Sequence, residues 1–493
     1  MMRREGLPDR FVVIGGGISG LSSAFYLLWE AHLRGRAAVV TLVDPSERLG
    51  GKINTLKRDG FVIEKGPDSF LARKTPIIDL ARDLGIAHEL VGTNPAAKKT
   101  YILHKGKLHA MPPGLVLGIP TEIAPFAKSS LLSWGGKLRA FMDFLKPASK
   151  DTDDESLGDF LTRRLGPEVM ERVAEPLLAG IYAGDLRKLS LQATFPQFKE
   201  AERKHGSLIR GMRANKRKAG AVPSAGPSSL PAAVRSSVFM TFRGGLATMI
   251  DALNEALVDV DRRLGVKAVA FRQNDPMTDG EDVAPYEVLL SSGEVLDADG
   301  IVITAPAFDA ADLLEPHINV DALRAVQYVS VANVVMAFDK KNFGIDFDGS
   351  GFVVPRSEGT TITACTWTSA KWLHSSPSNK VLLRCYVGRS GDEEVVDLPD
   401  DQLTEAVRKD IRDVMGITAT PLFTEITRLH KSMPQYPVGH LQETAKLRTK
   451  LRSEMPGVWV TGAAFDGVGL PDCIRQGKEA AVGVYKSLFG EFK

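Results

Sequence analysis

The stretch FVVIGGGISGLSSAFYLL, Phe11 to Leu28, carries three signals in immediate succession. Its first four residues are apolar and largely β-branched, as a strand buried inside a parallel sheet requires. Gly15-x-Gly17-x-x-Gly20 follows at once, and Leu21, Ala24, Phe25 and Leu28 then recur at helical spacing. Strand, glycine turn and helix in this order make a phosphate cradle. Gly15 permits the tight turn, Gly17 lets a pyrophosphate reach the backbone, and Gly20 lets helix and strand close up, with the helix N-terminus facing the anion. Gly16, Ile18 and Ser19 lie inside the same turn and complete the candidate site.

Outward from this turn, VVTLVDPSERLGGKINT supplies a second apolar strand ending in Asp44, where a carboxylate accepts hydrogen bonds from an adenosine ribose. Arg48-x-Gly50-Gly51-Lys52 then gives a second glycine pair with cationic neighbours. This arrangement resembles the FAD-binding flavoproteins that include amine oxidases, phytoene desaturases and protoporphyrinogen oxidases, which favours FAD over NAD. Phe61 to Lys74, FVIEKGPDSFLARK, reads as a strand and a Gly66-Pro67-Asp68-Ser69 turn whose backbone passes close to an isoalloxazine ring.

The 493 residues exceed one ordinary core, so two or three packed units are expected. A net charge of +2 gives no reason to expect nucleic acid as a partner. Three widely spaced cysteines, Cys365, Cys385 and Cys473, suit neither a disulfide framework nor a zinc site, so no metal is expected and a reducing cytoplasm is the simplest setting. Met1 to Arg10 is too polar for a secretory signal, and no apolar run reaches the roughly 18 residues of a membrane span. Peripheral contact at the inner face of the cell membrane stays open.

The pattern predicts α/β and α+β architecture: a discontinuous Rossmann-like FAD-binding domain at 1–75, 236–307 and 438–493, a mostly helical insertion at 76–212, a linker at 213–235, and a mixed-sheet substrate domain at 308–437. HAMPPGLVLGIPTEIAPF reads either as an exposed greasy loop or as buried scaffold. Arg210, Arg213, Lys216, Arg217 and Lys218 form a basic cluster. Leu246, Met249, Ile250, Leu253 and Leu257 form one core-packing helical stripe. A helix starting near Pro471 aims its positive end at the flavin. His440 reads as a packed histidine and Cys473 as a buried inert thiol.

GGGISGLSSAFYL, ERLGGK, EKGPDSF, GIYAGDLRKLSLQATFPQF, SMPQYPVGH and GAAFDGVGLPDCIRQGKEAA together resemble the protoporphyrinogen oxidase family along nearly the whole chain. ITACTWT, YVGRSGDE and MPQYPVGH resemble its Gram-positive branch, whose soluble members oxidise coproporphyrinogen III. The resemblance implies FAD held by Gly15 to Gly20, Asp44, Lys52, Gly66 to Ser69, Val266 by the adenine, and Val468, Gly469 and Leu470 near the flavin. It implies a tetrapyrrole lined by Gly180, Val353 and Tyr386. Animal and plant members carry an arginine just before the position of Tyr101, where this chain has Thr100. Arg73, Lys74 and the basic cluster are therefore candidate propionate partners. The implied reaction removes six electrons in three hydride transfers to flavin N5, with dioxygen as acceptor, hydrogen peroxide as product, and transient contact with the next haem-pathway enzyme. Protoporphyrinogen IX is the alternative substrate; another amine oxidase or desaturase, or a binding protein like Rab GDP-dissociation inhibitor, is the rival class.

Overall fold

The computed structural model describes residues 8–151, 153–221, 234, 237–275 and 283–490. The opening FVVI lies within strand Asp9–Ile14, at the centre of a five-stranded sheet. Its neighbours are Ala38–Asp44 and Gly300–Ile303, with Asp261–Leu264 and Val458–Val460 at the edges, all parallel. One sheet thus draws on three distant parts of the chain. Strand alternation sends Phe11 and Val13 into a core with Leu21, Leu27, Ile474 and Val484, and sends Val12 and Ile14 into another with Phe271, Val288 and Leu313. Helices Ile18–Leu33 and Leu470–Phe489 cover the first face and pack on each other. Gly477 permits this approach: a Cβ there would stand 2.8 Å from the Ser19 carbonyl oxygen.

A second, seven-stranded sheet runs in the order Phe423–Gln435, Gln327–Asp339, Lys380–Val387, Ile362–Trp367, Gly349–Val353, Lys99–His104 and Lys107–Ala110. The last two strands come from the stretch read as mostly helical. Lys105 at φ 51° and Gly106 at φ 70° make the left-handed two-residue turn that closes a hairpin there. One face of this sheet packs Leu383, Cys385, Val334 and Cys365 onto Leu403, Val407 and Ile411 of helix Asp400–Met415. All three cysteines are free and buried.

Helices Ile123–Lys128, Trp134–Phe141, Leu157–Leu165, Glu175–Tyr182, Pro196–His205 and Leu208–Ala221 build a third core. The expected boundary at 212 falls inside the last helix, which carries the whole basic cluster because no Pro or Gly interrupts its turns between Met212 and Ala219. Of the linker expected at 213–235, residues 213–221 belong to this helix, and 222–233 and 235 lie outside the described residues. The greasy loop is scaffold: Ile119 is buried, and Leu115, Val116 and Leu117 pack on the helical core. Exposed apolar surface lies instead on Trp134, Leu138, Met142 and Leu145, which are 79, 69, 51 and 85% exposed at near-helical spacing.

Arg164, fully buried, holds this helical unit together. It donates to Asp143 Oδ1 at 2.5 Å, to Glu202 Oε1 at 3.2 Å and to the carbonyls of Asp143 and Gly206. Asp143 also accepts from Ser207 Oγ and from the Ile209 amide. Removing one partner strands a charge in the interior, so Asp143→Ala is expected to cost about 3–5 kcal/mol. Urea unfolding of the variant measures this, and a loss below ~1 kcal/mol would contradict the account.

Candidate active site

The phosphate turn separates its glycines by task. Gly15 adopts φ 111°, and a Cβ there would meet Thr304 Oγ1 at 2.4 Å. A Cβ on Gly20 would stand 1.7 Å from the Gly15 carbonyl oxygen, so helix and strand touch backbone to backbone. Gly16 is closed off by Leu49 and Asp44. Gly17 alone of the four faces open space, with nothing within 4 Å of its would-be Cβ. It also caps helix Ile18–Leu33, whose first turn has no side-chain cap and no acidic residue. Free amide donors and the helix dipole thus meet where the backbone is bare, an arrangement that fits a diphosphate.

The second glycine pair buttresses the first. Gly50 donates to the Gly16 carbonyl at 2.8 Å, and a Cβ on Gly51 would come 3.1 Å from Gly17 Cα. Asp44 accepts from the Gly16 amide at 2.6 Å and the Ser46 amide at 2.8 Å, which fixes its carboxylate at the strand end. The Val266 amide donates to the Asp44 carbonyl at 3.3 Å, placing both residues together. Lys52 donates to the Ser432 carbonyl; surrounding protein pushes its ammonium pKa down, although solvent reaches the side chain.

Residues 64–69 form a strap pinned from several sides. A Cβ on Gly66 would overlap the Lys52 carbonyl oxygen at 1.7 Å. Arg384 donates to the Gly66 carbonyl, Asn333 to that of Lys65 at 3.1 Å, and Lys371 to Asp68 at 3.2 Å. Burial works to raise the Asp68 pKa, but Lys371 and Arg384 overcome it and hold the carboxyl well below the usual range. Ser69 donates to Asp68 at 2.7 Å, and Pro67 is half-buried between them and Gly66.

The chain returns through Val468 and Gly469 to helix Leu470–Phe489, with Pro471 in its first turn. Val468 and Val353 both pack against the edge of the helical core. Cys473 is buried, and burial raises its thiol pKa to about 11, so the helix start does not activate it. His440 is buried, shares a hydrogen bond with the Phe465 carbonyl at 2.8 Å and stacks on Tyr436 at 4.4 Å.

The other face of the seven-stranded sheet makes the opposite wall. Val353 pairs with Ala364, Ala364 with Tyr386 and Tyr386 with Asn333, so these side chains form one row. Arg384, two residues from Tyr386, points the same way. Helix Glu175–Tyr182 packs on strands Gly349–Val353 and Ile362–Trp367, and its Gly180 leaves open space beside the exposed Ile181. Burial raises the Tyr386 pKa. Lys74 pairs with Asp472 at 2.5 Å, so a protein carboxylate already engages it; Arg73 is exposed. Thr100 Oγ1 lies 3.2 Å from Ser350 Oγ. Arg384, Asn333 and Thr304 escaped the sequence reading. The available signal was a polar residue interrupting an apolar strand, as in VLLRCYV and VANVV.

A bare glycine turn at a helix start, an acidic strand end and a facing sheet wall are the frame of a cofactor-dependent oxidoreductase. Residues 18–485 match the flavin-containing amine oxidoreductases, and the chain belongs to that family. Flavin is accordingly its cofactor. The chain is 45% identical to coproporphyrinogen III oxidase of Bacillus subtilis (strain 168), over 97% of this chain and 98% of that protein. It is 41% identical to coproporphyrinogen III oxidase of Staphylococcus aureus, over 97% and 99%. A solved structure of a candidate protoporphyrinogen oxidase from Exiguobacterium sp. superposes with TM-score 0.82 at 35% identity, covering 96% of this chain and 98% of that one.

Gly17→Val fills the open glycine position of the turn, so the variant should fold and purify with flavin content at least tenfold reduced, a change of about 1.4 kcal/mol or more in binding. Gly20→Val should instead impair folding itself. Flavin absorbance and circular dichroism separate the two; normal flavin content in Gly17→Val would contradict the phosphate assignment.

Proposed function

We propose that the chain oxidises coproporphyrinogen III to coproporphyrin III in haem biosynthesis, using FAD and dioxygen. The likeness to a coproporphyrinogen III oxidase over nearly the full length carries this reading. When bound, FAD supplies a two-electron hydride acceptor that dioxygen restores with release of hydrogen peroxide. The residues around it position and shield. Gly17 and the helix start at Ile18 take the diphosphate, Asp44 the ribose, Val266 the adenine, and Val468 to Leu470 the flavin end. Lys52 and Gly66 to Ser69 border the ring. Gly180, Val353 and Tyr386 receive the flat face of the macrocycle, whose meso carbon must be held close to the acceptor. Propionates reach the rim, where the exposed Arg73 and the basic helix Leu208–Ala221 offer cations, Lys74 being held by Asp472.

Four propionates on coproporphyrinogen III, against two on protoporphyrinogen IX, suit a rim with several cations. The expected kcat/KM is about tenfold higher for coproporphyrinogen III, corresponding to about 1.4 kcal/mol. Parallel fluorescence assays with both substrates test this, and the reverse preference would overturn it.

We further place peripheral membrane contact on the Trp134–Leu145 face. An aromatic residue and three aliphatic ones stand clear of the protein surface, while Lys128, Lys146 and Lys150 are exposed near them, as an anionic lipid surface requires. Replacing Trp134 and Leu138 by Glu should lower sedimentation with phosphatidylglycerol vesicles about tenfold. Unchanged sedimentation would exclude this face.

A further inference from the structure

Strand Phe61–Glu64, strand Phe239–Phe242 and the substrate sheet enclose a small cavity beside the 64–69 strap, large enough for an ordered water. Glu64, Asp68, Thr241, Trp372, His374 and Arg384 line it. Three of these are almost completely buried yet keep polar atoms without a hydrogen-bond partner among the described residues: Arg384 Nε and Nη1, Trp372 Nε1 and Thr241 Oγ1. Buried donors of this kind are ordinarily satisfied by internal water. The cavity therefore has the polarity and the room of a water site, and it touches two carboxyls.

Those carboxyls differ in their surroundings. Asp68 faces Lys371 and Arg384 and stays ionised. Glu64 accepts from the Leu246 amide at 2.7 Å and from Thr55 Oγ1 at 2.9 Å, and protein packs round it while one side stays open to the cavity. Burial pushes its pKa up to about 7, against the opposing pull of those two hydrogen bonds and of Arg384. The charged and titratable groups facing it are Arg384 from strand Lys380–Val387, Asp68 and, through Asp68, Lys371 from the strap side, and His374, whose own pKa is lowered by burial and by Arg243. Two carboxyls in one chamber, driven apart by their environments, divide into a permanent anion and a proton carrier.

We propose that Glu64 is the proton store of the active site, exchanging protons with the substrate cleft through water in this cavity and the Asp68 end of the strap. The inference rests on the reading under Proposed function. Each two-electron oxidation of a porphyrinogen breaks one meso C–H bond as hydride and releases one proton; over the three steps two of these protons come from pyrrole N–H groups and one from the fourth meso carbon. Reduction of dioxygen to hydrogen peroxide consumes those same two electrons and, besides the hydrogen carried as hydride, one proton. A carboxylate at Glu64 takes the proton in the first half and returns it in the second, so the cycle closes with no net exchange.

The test compares wild type with Glu64→Gln, which preserves shape and the bond from the Leu246 amide. Infrared spectroscopy should show a protonated carboxylic acid titrating near pH 7 in wild type and missing in Glu64→Gln. Anaerobic stopped-flow reduction by coproporphyrinogen III should be at least tenfold slower in the variant, with substrate affinity retained and the pH limb near 7 abolished. Thr55→Val provides the second variant: losing one hydrogen bond to the carboxylate should move that limb to higher pH. A limb unchanged in either variant, or a carboxylic-acid band that survives Glu64→Gln, overturns the proposal. A wild type that shows the titrating acid but leaves porphyrinogens untouched would instead fail the substrate reading.

Discussion

The closest backbone approach in the phosphate turn is the constraint on which the rest depends. The carbonyl of Gly15 and the Cα of Gly20 leave no room for a carbon between them, since a Cβ would sit 1.7 Å from the oxygen. Only that compression brings the start of helix Ile18–Leu33 against the end of strand Asp9–Ile14, so that the bare Gly17 backbone and free amides converge on one point. Thr304 seals the turn from the neighbouring strand by donating to the carbonyls of Ile14 and Gly15 at 3.0 and 3.1 Å. Asp44, Gly50 and Gly51 complete it from the second strand. The turn's fitness for an anion follows from missing side chains, with charge contributed by the peptide dipoles.

The strap at 64–69 joins this nucleotide unit to the substrate sheet. Its pins come from Asn333, Lys371 and Arg384, all belonging to the other sheet or its connections. The alternation of a β-strand makes this arrangement economical. In VLLRCYV, Leu383, Cys385 and Val387 face the core shared with helix Asp400–Met415, while Arg384 and Tyr386 face the strap and the cleft. A single strand therefore supplies packing on one side and chemistry on the other.

The glycine turn was legible because its physics is local: six residues specify the bend, the close approach and the helix start. Asp44 was legible by its place at the end of an apolar strand. The strap residues Gly66 and Asp68 were visible as a turn, but their partners were not, because Arg384 and Asn333 reach them only after the two sheets meet. The hairpin Lys99–Ala110 hid behind a Lys-Gly turn with no strong hairpin signature, flanked by helices in sequence. The exposed stripe hid for a different reason. WGGKLRAFMDFL carries apolar residues on both helix faces, with Ala140 buried in the helical core and Phe141 packed against it, and Trp134 and Leu138 outside, so its pattern reads as uniformly greasy.

The parallel sheet has one further consequence, for synthesis. Strand Val458–Val460 and helix Leu470–Phe489 close the nucleotide unit from the far end of the chain, and Asp472 completes the pair with Lys74 some four hundred residues earlier. A ribosome emitting this polypeptide exposes the greasy first strand and helix for most of translation before their covering partner leaves the exit tunnel. The nucleotide unit is therefore complete only once the last segment of the chain has emerged and folded back onto the first.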